Sequence, residues 1–160
     1  MKFASFLQKP KALAFIVALG LCSTAVSAGE LRLRAQLAWG TDDAKPSGQN
    51  LKEMDPKLRE KFRHLRWKNY FIVKSELNSI PTKTTKHVVL SDKCAVDLMD
   101  LGEGNAKITV FSLRPGSPPL EVKSENLPID KLKSGYVWAF GGDTKEKWDD
   151  AWLVVVTAEE

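Results

Sequence analysis

The side chains able to make or break bonds are few. The chain has two histidines, His64 and His87, and two cysteines, Cys22 and Cys94. A Cys94/His87 nucleophile pair is conceivable on neighbouring strands across the Ser91–Lys93 turn, because a thiol needs an adjacent base to react at neutral pH. Cys94, however, shares parity with Val96 and Leu98, which reads as a core-facing thiol acting as a small hydrophobe. Two distant histidines and a cysteine do not make a transition-metal site. The sequence also lacks a Gly-x-Ser-x-Gly elbow, a glycine-rich phosphate loop and a His-Glu-x-x-His helix. The adjacent aspartate pairs, Asp42-Asp43 and Asp149-Asp150, fall in loops. Neighbouring residues of an extended segment point apart, so neither pair alone forms a two-carboxylate machine. The expectation is no catalytic residue, no metal and no cofactor.

Binding chemistry has more material. There are five tryptophans. Trp39, Trp138 and Trp152 follow the apolar parity or run of their strands and read as core. Trp148 has polar neighbours on both sides, and Trp67, just past the helix, reads either way; these two are the candidates for stacking on a sugar. Charge is the most asymmetric feature. Lys57–Lys68 carries Lys57, Arg59, Lys61, Arg63, Arg66 and Lys68 against Glu60 alone, whereas Asp143–Glu160 is acidic. At about 100° per residue, the helical wheel sets Leu58, Phe62 and Leu65 in one apolar stripe. Arg59, Arg63 and Arg66 fall together on one flank and Lys57 and Lys61 on the other. Three guanidinium forks could grip carboxylate or phosphate bidentately; charged stems flanking an apolar stripe are the plainer reading.

The elements that must position these groups read mainly as strands. Leu31, Leu33, Ala35, Leu37 and Trp39 alternate with Arg32, Arg34 and Gln36, which predicts a half-buried strand. Thr41–Met54 reads as a polar connection. Asp55-Pro56 is a helix start with Asp55 as N-cap and Pro56 at the first helical position. It opens one short helix of about ten residues, expected to cap an end or cover a sheet edge.

Further strands are predicted over Tyr70–Leu77, Thr85–Leu90, Cys94–Leu98 and Ala106–Leu113, with Gly102-Glu103-Gly104-Asn105 as a hairpin turn. Leu120–Val122 is a short strand after the Pro115–Pro119 reversal, and Pro128–Ser134 adds one helical turn. Tyr136, Trp138 and Phe140 share a face, and Trp152–Val156 is apolar on both parities, as in a strand covered on both sides. The tail Ala158-Glu159-Glu160 reads as frayed. The pattern predicts an all-β, mainly antiparallel fold: a β-sandwich or partly open barrel of about seven to eight strands with one short helix.

Met1–Ala28 has Lys2, Lys9 and Lys11, then an apolar run, then Val26-Ser27-Ala28, the layout of a cleaved signal peptide. Residues 29–160 then form a single β-rich domain, secreted to the periplasm or outside the cell. The run is too short to span a bilayer, so no transmembrane segment is expected after cleavage. Of 24 basic and 20 acidic residues the signal holds three lysines and no acid. The remaining chain is nearly neutral, which argues against nucleic acid as a partner.

Trp67-Lys68-Asn69-Tyr70 entering the sheet, the Gly102–Asn105 hairpin, and Gly141-Gly142-Asp143 before Trp152–Val156 together resemble small exported bacterial proteins of unassigned function. The resemblance runs from about residue 66 to 158. It implies a bacterial envelope setting and an all-β domain, and it brings no catalytic residue. The functional expectation is a non-enzymatic binding or assembly module whose partner is an envelope protein or anionic polymer at Arg59, Arg63 and Arg66. A carbohydrate-binding domain using Trp67 and Trp148 is the alternative, and a hydrolase a further one.

With Cys94 the only thiol after Gly29, no intrachain disulfide can hold the domain. The chain from Gly29 is therefore expected to unfold at the same denaturant midpoint with and without reductant. A lower midpoint in reductant would contradict this.

Overall fold

The computed structural model describes residues 30–45, 47, 51–65, 67–141 and 151–159. Those residues form two antiparallel sheets packed face to face. Sheet A has the order β2 (Lys52–Glu53), β3 (Asn69–Ile80), β1 (Leu31–Thr41), β9 (Ala151–Glu159), β8 (Tyr136–Gly141). Sheet B runs β4 (Thr85–Val89), β5 (Cys94–Gly102), β6 (Asn105–Ser112), β7 (Leu120–Pro128). Two short helices, α1 (Pro56–Lys61) and α2 (Ile129–Lys133), complete the described elements. The all-β sandwich expected from the alternation is the observed fold.

Period-two patterning sorts the side chains as it should. Leu33, Ala35 and Leu37 of β1 meet Val96 and Leu98 of β5 and Ala106, Ile108 and Val110 of β6 in the main core. Val154 and Val156 join them from β9, while the alternate residues Leu153 and Val155 enter a second cluster with Ala38, Met54, Phe62 and Tyr70. All four residues Leu153–Val156 are fully buried. The apolar run is thus a strand covered on both faces, by sheet B on one side and by α1 on the other.

The helix differs from its expected form. Asp55 is the N-cap, its carboxylate accepting from Lys57 N at 2.8 Å and Leu58 N at 3.3 Å, and Pro56 opens the helix. But α1 ends after six residues. The chain then tightens into i→i+3 bonds, Phe62 N to Arg59 O at 2.9 Å and Leu65 N to Phe62 O at 2.8 Å. Tightening lets Leu58, Phe62 and Leu65 all reach the sheet before the chain enters β3 at Asn69. Nor does α1 cap an end or cover an edge; it covers the outer face of sheet A, where Leu153 and Val155 need shielding. Gly135, at φ +83°, makes room for it: a Cβ there would lie 2.7 Å from Leu58 Cδ1.

Three other expectations are corrected. The Thr41–Met54 connection contains the two-residue edge strand β2, paired with Ile72 and Phe71. β7 is nine residues rather than three, because pairing with β6 carries its polar stretch Lys123–Asn126 along the sheet. The tail is ordered through Glu159, which lies opposite Arg32 and is gripped by Arg34 through both carboxylate oxygens, Nη2 to Oε2 at 2.9 Å.

Polar side chains close the two long edges of the sandwich. Lys74 of β3 donates to Val89 O of β4 at 2.6 Å and pairs with Glu76 at 2.8 Å. On the other edge the Tyr136 hydroxyl of β8 donates to Glu125 of β7, itself paired with Lys123 at 2.7 Å. Asp100, buried, ties down the β5–β6 end by accepting from Thr82 Oγ1 at 3.0 Å and Gly102 N at 2.7 Å.

Two stability measurements follow. Val154→Asp places an unpaired carboxylate between the sheets and should cost more than about 4 kcal/mol, preventing folding; a soluble variant with a cooperative unfolding transition would contradict the two-sided burial of β9. The Arg34 hydrogen bond holds the Glu159 carboxyl below its ordinary value, against desolvation, with the Arg34 and Arg32 charges adding to it. A lowered folded-state value means that this stabilisation is present above the ordinary glutamate range and is lost as pH falls through the lowered one. The stability gap between the native chain and Glu159→Gln should therefore narrow on acidification, as read from denaturant midpoints; a gap independent of pH would show that the pair contributes nothing.

Candidate functional site

The basic helix has already committed much of its hydrogen-bonding capacity. The Arg59 guanidinium donates to Lys68 O and the Lys61 ammonium to Ser134 O. Arg63 pairs with Glu60 one turn back, at 3.3 Å and well exposed. Arg66 lies outside the described residues. Because α1 stops at Lys61, Arg63 follows a turn rather than the helical wheel, and the flank expected on that wheel is not continued by helix. The Asp42 carboxylate accepts from Lys68 N at 2.9 Å, so it too secures the entry to β3; Asp149 and Asp150 lie outside the described residues.

Trp67 is half-buried against the outer cluster. Its indole lies on Gly40, where a Cβ would come within 3.2 Å of two ring carbons. Beneath it Tyr70 is 5% exposed, and burial is the main cause that raises its pKa. Trp148, the other stacking candidate, lies outside the described residues. Among the described residues the exposed indole is Trp152, at 37%, and the core assignment drawn from its apolar run is wrong: the residue stands at the start of β9, at the end of sheet A.

Strand register separates His87 from Cys94. His87 sits opposite Asp97 and bonds it through Nδ1 at 2.6 Å, among the residues that alternate with buried Val88, Val96 and Leu98. Cys94 shares the parity of Val96 and Leu98 and packs against the main core. The two therefore occupy opposite faces of sheet B. Desolvation pushes the Cys94 thiol up to about 11, so it is protonated at neutral pH and a poor nucleophile. Among the described residues no three His, Cys, Asp or Glu side chains gather to hold a metal.

The concave feature lies elsewhere, at the end of the sandwich where β9 begins. A cavity of about 650 Å³ opens between Leu37, Val73 and Trp152 of sheet A and Cys94, Phe111, Leu120 and Val122 of sheet B. Ser91, Asp92, Lys93, Ser112 and Arg114 supply its polar lining. Two β-bulges shape it. In the β1–β3 ladder Leu37 faces Lys74 and Ala38 faces Ile72, leaving Val73 as the extra residue. In the β6–β7 ladder Val110 faces Lys123 and Phe111 faces Glu121, leaving Val122 extra. A bulge re-aims a side chain that regular pleating would send elsewhere. Here one bulge in each sheet brings a valine to the same cavity.

Six large apolar residues are exposed among those described, and Val73, Leu120, Val122 and Trp152 of that group all line this one space. Scattered exposed apolar residues are ordinary; convergence on one concavity is the mark of a binding site. Sequence reading missed it because a bulge is a property of two paired strands.

No protein family, curated protein or solved structure matches this chain. The fold class is that of an all-β, mainly antiparallel sandwich, and no helix among the described residues is long and apolar enough to cross a membrane.

The thiol gives a direct reading of the cavity wall. Its alkylation rate should keep rising with pH up to about 11, well beyond the ordinary cysteine value near 8.5. A rate that levels off between pH 8 and 9 would mean that Cys94 is solvated.

Proposed function

We propose that this protein is an exported, non-enzymatic binding module of the bacterial envelope that takes its ligand in the cavity between the sheets. One observation carries the reading: Val73 and Val122, extra residues of separate bulges, stand 43% and 46% exposed on the same concave surface. Leaving two valines half in water costs hydrophobic free energy that a ligand would recover. Further support comes from Cys94, whose high pKa and separation from His87 disfavour nucleophilic catalysis. The cationic start and apolar run of residues 1–28 support export.

The arginine flank is the weaker attachment point for an anionic partner, since Arg59 and Lys61 already serve backbone carbonyls. A carbohydrate reading draws on Trp152, whose indole is exposed in the cavity wall rather than on an open platform.

Native mass spectrometry of the full chain, incubated with a bacterial envelope extract, tests the reading. The expected result is a one-to-one complex that releases its small molecule chemically unchanged. Repeating it with Arg59, Arg63 and Arg66 all changed to Lys should leave the complex intact. Release of a cleaved or modified product would instead establish an enzyme, and loss of the complex in the lysine variant would restore the arginine flank as the site.

A further inference from the structure

The shape and polarity of the cavity narrow the class of ligand. Its apolar lining is formed by Leu37, Val73, Cys94, Phe111, Leu120, Val122 and Trp152, whose side chains offer no hydrogen-bonding group apart from a weak thiol and the indole N–H. A sugar placed there would leave hydroxyls unpaired, at a cost for each one. Alkyl chain would lose nothing.

Space agrees with this. The cavity, about 650 Å³, lies within the roughly 300–1,000 Å³ of small-molecule sites. At roughly 30 Å³ per methylene, about the share of a water molecule in the liquid, a sixteen-carbon chain needs about 480 Å³.

The polar lining has a sign. It holds Lys93 and Arg114 against Asp92. Arg114 is exposed, and among the described residues its guanidinium pairs with no side chain. It follows the end of β6, beside Ser112, and so lies within reach of a group leaving the apolar space. A guanidinium fork grips a carboxylate or a phosphate through two parallel hydrogen bonds.

We propose that the cavity binds a single-chain amphiphile, its acyl chain against Val73, Val122, Leu120 and Trp152 and its terminal anion, carboxylate or phosphate, on Arg114. This deepens the binding-module reading and rests on it. The two anions are the same chemistry from different sources, a free fatty acid or a lysophospholipid.

Cys94 in the wall reports occupancy. In the full chain carrying Cys22→Ser it is the only thiol, and its alkylation by iodoacetamide at a fixed alkaline pH can be followed by mass. Palmitate and lysophosphatidate, each below its micelle-forming concentration, are expected to slow the reaction at least tenfold, and hexadecanol much less. Shorter fatty acids should bind more weakly, by roughly fourfold per methylene removed. Arg114→Gln should abolish the preference for acid over alcohol, and Arg114→Lys should retain part of it. Val122→Asp, on an exposed position and so compatible with folding, should remove protection altogether.

If no acyl compound slows alkylation, the acyl cavity is overturned. If hexadecanol protects as well as palmitate, the role of Arg114 is overturned. Protection by a soluble oligosaccharide and not by palmitate would assign the cavity to carbohydrate. These failures are separable from failure of the broader reading, because a chain that ignores palmitate yet carries another unchanged molecule from envelope extract is still a binding module.

Discussion

The constraint on which this structure turns is the burial of Leu153–Val156 on both faces of one strand. Four consecutive apolar residues cannot be satisfied by a single sheet-on-sheet contact, because side chains alternate across a strand. Sheet B covers Val154 and Val156. Something else must cover Leu153 and Val155, and among the described residues Leu58, Phe62 and Leu65, with Met54 and Trp67, join them in the outer cluster. The short helix is held there by Gly135 yielding space to Leu58 and by Lys61 reaching Ser134 O. Two of its cations, Arg59 and Lys61, are thereby drawn into fastening the cover through the carbonyls of Lys68 and Ser134.

Two-sided cover also decides where a site can be. Helix and sheet occupy both faces of the strand's middle, and Lys74, Tyr136 and Glu125 close the long edges with polar bonds. Asp100 secures one end. The remaining end is the one where β9 starts, and there both sheets depart from regular pairing. The bulges at Val73 and Val122 turn apolar side chains toward a space that no described residue fills. Polar fastening and the apolar concavity thus lie at opposite ends of the same core.

Much of this was legible in the sequence wherever the information was local. The alternation from Leu31 to Leu37, the Asp55-Pro56 start and the Gly102–Asn105 turn each depend on a few adjacent residues, and each appears as read; Trp39, read as core, lies past the Leu37/Ala38 register shift and is only partly buried. The continuous run at 152–156 announced two-sided burial, though not which element would supply the second side. What could not be read was set by pairing between distant segments. The bulges exist only in register with β1 and β6. The length of α1 is fixed by where Asn69 must begin β3, opposite Thr41, and the order of the tail by an arginine 125 residues earlier. Trp152 was misread for the same reason: its neighbours in sequence are core, but it stands at the end of the sheet, where cover gives way to the cavity.

Native-state amide hydrogen exchange measures this division of the molecule most directly, because protection reports the free energy of opening at each backbone group. The account predicts that the amides of Leu153–Val156 are among the slowest to exchange, opening only with global unfolding. The amides at the Val73 and Val122 bulges, left out of the ladders, should exchange orders of magnitude faster. Fast exchange along 153–156, or protection at the two bulges equal to that of β9, would contradict it.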